Sequence, residues 1–148
     1  MKSLFPEWFN ELSHTADIGI EVYSSTLPGL FERCAWGMFF ELTEIDSISP
    51  THPFEIQVYS SDRESLLVRW LSELNYLHTV EHLLFSRFEI KEWNEYELKA
   101  VCWGEKIDPS RHSVWLEIKA ITYHLLKIEY HPEGSEDCRW YGRVLFDV

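Results

Sequence analysis

The sequence predicts an α+β fold. It reads as a two-layer sandwich of order β-α-β-α-β-β-β-β, with two helices packed on one face of a mixed, largely antiparallel sheet. Three observations predict it. Two segments carry apolar residues at helical spacing, and the other apolar segments alternate with a period of two. The length, 148 residues, suits one domain spanning 1–148. A chain of that size buries about 70% of its extended surface, enough for a core without staples. Apolar residues make up 45% and aromatics 16%, which argues against disorder.

The elements follow in order. Residues 16–23 alternate, with Ala16, Ile18, Ile20 and Val22 on one side and Asp17, Gly19, Glu21 and Tyr23 on the other. That is a half-buried strand. Leu27, Leu30, Phe31, Cys34, Ala35, Met38, Phe39 and Leu42 then trace one helical stripe. Thr26 can cap that helix, and Pro28 is tolerated in its first turn. Residues 53–60 read as a strand with Phe54, Ile56 and Val58 inward. Ser61-Asp62-Arg63-Glu64 has the S-x-x-E form of a capping box, which puts Asp62 in the first turn of a second helix. Leu66, Leu67, Trp70, Leu71, Leu74 and Leu77 supply its apolar face. From 84 onward the period is two, and segments 84–92, 96–104, 113–130 and 138–147 read as consecutive strands. Within the third, Val114, Leu116, Ile118 and Ala120 are expected to face one way, and Glu117, Lys119, Ile121 and Tyr123 the other. Trp93, Trp103, Trp115 and Trp140 are expected to pack on the sheet.

Charge narrows the function. Thirteen Lys and Arg face twenty-five Asp and Glu, a formal net charge of -12. Gripping a phosphate backbone by counterion release needs a basic surface, so direct nucleic-acid binding is not expected. An acidic chain suits cations or basic protein surfaces. Cys34, Cys102 and Cys138 form no C-x-x-C pair, so neither a zinc cage nor a disulfide framework is expected, and reduced thiols in the cytoplasm are. The first ten residues hold no apolar h-region of a signal peptide. No apolar run approaches the roughly 18 residues of a membrane helix.

Parity supplies the candidate chemistry. With Ile18, Ile20, Val144 and Phe146 inward, Asp17 and Asp147 point away from the core. With Ile118 and Ala120 inward, Lys119 points away too. Two carboxylates and an ammonium can therefore share the helix-free face, provided the strand order brings them together. Asp147 is followed by Val148, whose α-carboxylate would add a third negative charge. At about 5 Å and an effective dielectric of about 20, each pair repels by roughly 3 kcal/mol. Such a cluster protonates, recruits Lys119 or binds a cation, and all-oxygen ligands favour Ca²⁺, Mg²⁺ or Mn²⁺ over Zn²⁺. The plainer alternative is solvated strand ends with surface counterions. Asp62 is explained by the helix dipole alone, or else stands beside the carboxylates. His14 is a surface residue, a partner that orients Asp17, or a proton carrier. His78-Thr79-Val80-Glu81-His82 reads H-x-x-E-H, a zinc-hydrolase pattern. It falls where the helical stripe runs out and lacks a third ligand.

Several linked motifs resemble the archease family. They are His14-Thr15-Ala16-Asp17-Ile18-Gly19-Ile20, Glu64-Ser65-Leu66-Leu67 and Leu84 through Ile90. Trp103-Gly104-Glu105-Lys106, Asp108-Pro109-Ser110-Arg111-His112, Lys119-Ala120-Ile121-Thr122-Tyr123-His124 and Arg143 through Val148 continue the series. The resemblance runs from about residue 9 to the last. It implies a small acidic protein cofactor with no catalysis of its own. Such cofactors activate an RtcB-type RNA ligase in tRNA splicing and RNA repair, promoting its guanylylation and multiple turnover with GTP and a divalent metal. It further implies a divalent cation, calcium in crystals and Mg²⁺ or Mn²⁺ as alternatives, held at positions matching Asp17, Asp147 and Val148. Lys119 and Asp62 match two further family positions. A chaperone-like binding module and, more remotely, an independent metallohydrolase through His78 and His82 are the alternatives. Residues 131–139 depart from the family as a variable hairpin, and Val148 stands where Ile is commoner.

Overall fold

The computed structural model describes residues 5–13 and 17–148. Strands β1 (Phe9–Ser13) and β2 (Asp17–Ser24) lead into helix α1 (Leu27–Leu42) and a short 3₁₀ turn at Ile45–Ser47. Strand β3 (His52–Tyr59), helix α2 (Arg63–Glu81), and strands β4 (Leu83–Trp93) and β5 (Glu97–Lys106) follow. Strand β6 (Ala120–Tyr130), a 3₁₀ turn at Glu136–Cys138 and strand β7 (Trp140–Asp147) complete the order.

The α+β architecture and both helices match the sequence reading, but the strands do not form one mixed sheet. They sort into two antiparallel sheets, β1-β2-β7-β6 and β3-β5-β4. The reason lies in α1. Beyond the stripe read from the sequence, Gly37, Phe40 and Glu41 are also buried, so the helix needs cover on more than one side. It packs on β2 and β7 of the first sheet and on β4 of the second, while α2 packs on β6 and on β3, β4 and β5. Both helices therefore bridge the sheets. Trp70 of α2 is fully buried, and its indole Nε1 donates to the Phe31 carbonyl of α1 at 2.9 Å. Burying an aromatic of that size contributes several kcal/mol, and the polar tip is satisfied by the neighbouring helix.

Local signals explain most boundaries. Thr26 caps α1, its side chain accepting from the Gly29 amide at 3.1 Å. The cap of α2 lies one residue later than the sequence suggests. Asp62 is the N-cap, extended at φ -156, and its carboxylate accepts from the Ser65 amide at 2.8 Å. The Ser65 hydroxyl accepts in return from the Asp62 amide. A carboxylate caps as well as a serine hydroxyl does, which is why Asp62 displaces Ser61.

Two strand assignments change. Strand β1 is unanticipated, being too short for its alternation to stand out; Phe9 anchors it, fully buried. The long strand expected over 113–130 is a strand only from Ala120. Residues before it follow the α1 C-terminus instead: Val114 bridges Thr43, the Trp115 amide donates to the Leu42 carbonyl, and the Lys119 amide donates to the Asp147 carbonyl. Ile118 and Ile121 are the buried residues there, while Lys119 and Ala120 are exposed. A three-residue step breaks the alternation, so the inward facing expected of Ala120 does not occur. Trp115 is 42% exposed, more than the sheet packing expected of it implies.

Candidate functional site

The candidate site lies where β2, β7 and β6 meet. β7 runs between the other two, with Asp17 the register partner of Asp147 on one side and Ala120 its partner on the other. The neighbouring row is Ile18–Phe146–Ile121, which includes core residues. Ile20, two residues along β2, faces α1, since a Cβ on Gly37 would touch its Cδ1 at 2.8 Å. By alternation Asp17 and Asp147 stand on the face away from α1. Residues directly opposite on antiparallel strands have Cβ atoms about 5 Å apart, and like charges there repel.

The two carboxylates are thus neighbours, a relation that parity alone could not give. Lys119 joins them through its backbone, its amide donating to the Asp147 carbonyl at 2.7 Å. Its row neighbour Ala120, not Lys119, is what lies beside Asp147 on β6. Lys119 lines a groove with Ser72, Asn75, Tyr76 and Thr79 of α2. Asn75 holds that junction, its Nδ2 donating to the Ile118 carbonyl at 2.8 Å.

Asp62 is elsewhere. Arg63, the next residue, stacks its guanidinium over Trp140 at 5.2 Å, and Trp140 opens the strand that Asp147 closes. Seven residue steps along the strand separate them, about 23 Å. The start of α2 therefore does not present Asp62 beside the carboxylates. Its hydrogen bonds with the Ser65 amide and hydroxyl lower its pKa, as a capping carboxylate requires. His14 lies outside the described residues. Val148 follows Asp147 and is half-buried.

The H-x-x-E-H pair does not assemble. His78 is buried, its Nδ1 hydrogen-bonded to the Leu83 carbonyl at 2.9 Å, and burial lowers its pKa. His82 is the left-handed cap that ends α2. Among the described residues no group of three or more His, Cys, Asp or Glu is arranged to hold a metal ion. Side chains at the Asp17–Asp147 pair thus supply carboxylate oxygens from two residues. That donor set fits a hard cation completed by main-chain oxygen and water, and does not fit the nitrogen and sulfur set of zinc.

One cluster that sequence reading quoted only as separate motifs proves to be a single network. Glu105 of β5 accepts from the Arg111 guanidinium, from the Ser49 amide at 2.7 Å and from His112 Nε2 at 3.0 Å. His112 Nδ1 accepts from the Asp108 amide at 2.9 Å, so the ring proton sits on Nε2 and points at Glu105. Arg111 foremost, with the Ser49 amide and His112, holds the Glu105 carboxyl at about 2. The network staples the loop after β5 to the turn after α1. Its signal was Glu, Arg and His within eight residues, but the pairing with Ser49 is long-range and invisible to spacing.

The fold and the carboxylate pair define an acidic α+β protein of two sheets bridged by two helices, with paired aspartates on a helix-free sheet face. Comparison with known proteins gives the family. The family model described as the archease protein family (MTH1598/TM1083) matches residues 9–148, and the chain belongs to that family. The protein archease of Pyrococcus abyssi is 41% identical over 138 residues, covering 91% of this chain and 94% of that protein. The protein archease of Methanopyrus kandleri is 35% identical over 143 residues, covering 95% and 99%. The solution structure of Methanobacterium thermoautotrophicum protein 1598 superposes with a TM-score of 0.77 at 32% identity, covering 95% of this chain and 99% of that one. A Thermotoga maritima crystal structure, described as an archease and possible chaperone, gives 0.61 at 25% identity, covering 93% and 94%. No helix among the described residues is long and apolar enough to cross a membrane.

Proposed function

We propose that this chain is a protein cofactor that activates an RtcB-type RNA ligase in tRNA splicing and RNA repair. It promotes guanylylation of the ligase and its multiple turnover. The observation that carries the reading is the register pairing of Asp17 with Asp147 in a chain of the archease family. Like charges set directly opposite one another are unfavourable without a counterion, and a divalent cation relieves them.

Asp17, Asp147 and the main-chain oxygen of Val148 hold that cation, which supplies charge neutralisation at the ligase's nucleotide. Lys119 fixes the Asp147 carbonyl through its amide, and its side chain offers a positive charge to the partner from the adjoining groove beside α2. RNA and GTP contacts belong to the ligase, consistent with a net charge of -12 here. The test adds the chain to its cognate ligase at limiting ligase and follows covalent GMP–ligase and turnover. Both rise, and Asp147→Asn abolishes the rise while remaining folded, with a single cooperative melt. No stimulation by the wild-type chain refutes the reading. The chaperone reading, drawn from the description of the Thermotoga maritima protein, instead expects suppressed aggregation of unrelated clients, with and without metal.

A further inference from the structure

We propose that the bulged segment of β6, Tyr123 to Leu126, is a docking surface for a basic face of the partner protein, the RNA ligase of the functional reading above, on which this inference rests. The β6–β7 register passes from Thr122↔Leu145 to Lys127↔Arg143, so Tyr123, His124, Leu125 and Leu126 stand against Val144 alone. Extra residues of this kind bend a strand and re-aim its side chains, and they concentrate at edges and beside functional sites. β6 is the outer strand of its sheet.

The backbone there has an unusual conformation. Leu125 has φ 57, a region that bulky non-glycine residues seldom occupy. The other such residue among those described, His82, has a local explanation as a helix cap; Leu125 ends no helix. Arg143 of β7 holds the bulge, its Nε donating to the Leu125 carbonyl at 2.8 Å. What the bulge displays is apolar: Tyr123 is 60% exposed and Leu125 is 43% exposed. A strained segment that exposes a Tyr and a Leu lacks a folding rationale, and such outliers mark functional positions.

Position and charge select the occupant. Tyr123 is three residues from Ala120, the partner of Asp147, about 10 Å along the strand. A partner covering Tyr123 and Leu125 therefore also lies near the Asp17–Asp147 pair. The net charge of -12 repels a second copy and favours a basic partner face. Tyr and Leu then supply the apolar anchor, Tyr being enriched among energetically dominant interface residues.

The test measures the dissociation constant for the cognate ligase by biolayer interferometry, with a thermal melt for each variant. Leu125→Gly relieves the positive φ, so its midpoint equals or exceeds the wild type's. Affinity falls at least tenfold in Leu125→Gly and in Tyr123→Ser. Wild-type affinity in either variant overturns the inference and leaves the functional reading standing. Failure of the wild-type chain to bind or stimulate the ligase overturns both. A wild-type dimer in light scattering that Tyr123→Ser disperses also overturns it, by assigning the surface to self-association.

Discussion

Replacing Asp147 by Asn separates the charge pair from the cation it holds. Asp17 and Asp147 are direct register partners, so their Cβ atoms lie about 5 Å apart. Two unit charges at about 5 Å in water repel by about 0.8 kcal/mol, and physiological salt screens this to roughly half. The substitution therefore raises the stability of the cation-free protein by about 0.4 kcal/mol. For a chain of this size that is about 1–2 °C in Tm. Cation binding works in the other direction and is larger. At a free concentration of 100 times its Kd, a cation stabilises the wild type by about 2.7 kcal/mol, roughly 5–11 °C. Differential scanning fluorimetry, first with chelator and then across a calcium, magnesium and manganese titration, reads both effects. The two proteins thus exchange order: Asp147→Asn melts slightly higher without metal and clearly lower with it. An equal metal-induced rise in both, or none in the wild type at millimolar concentration, refutes the carboxylate pair as the cation site.

Three further outcomes test the fold around that site. A Cβ at Gly104 would lie 1.9 Å from the Leu84 carbonyl oxygen, whereas one at Gly142 would lie 3.2 Å from a Leu30 methyl. Gly104→Ala should therefore cost about 3 kcal/mol or more and Gly142→Ala under about 1.5, compared by urea denaturation. Glu105 has a folded pKa of about 2 against an ordinary 4.5. Between those values the unfolded chain binds more protons, so the stability from its partners is present above pH 4.5 and lost as pH falls toward 2. Glu105→Gln should be less stable at neutral pH and flatter across that acid window, read by melts at each pH. Asp62→Asn keeps the helix cap and should melt like the wild type, while Asp62→Ala should melt a few degrees lower. Equal melting of the Asn and Ala variants would falsify the capping role.

The two helices were legible because their signals are local. A stripe from Leu27 to Leu42 states a period, a cap and a length together. The sheets were less legible because pairing is not local. Alternation placed Asp17 and Asp147 on outward faces, but only the order β2-β7-β6 makes them neighbours. Alternation also misled between Ile118 and Ile121, where both are buried and the chain steps out of the strand register. Lys119 was consequently drawn onto the carboxylate face, whereas it lines the groove beside α2. The second sheet escaped notice for a similar reason. A stripe shows that a helix has a buried face but not how many sheets cover it, and the burial of Phe40 and Glu41 emerges only with the layers assembled.

The division into two sheets also orders events during biosynthesis. The sheet β3-β5-β4 is drawn entirely from residues 52–106, while β1-β2-β7-β6 joins residues 9–24 to residues 120–147. A nascent chain extended as far as Lys106 already carries every strand of the former and both helices that cover it. β2 pairs early with β1, but its other edge must wait for β7, the last of the described strands, which lies between it and β6. Closing a loop of that length is the slow, high-contact-order step of such a fold. The aspartate pair therefore comes into being only when β7 docks, so a ribosome-bound or C-terminally clipped fragment can be largely folded and still lack the site.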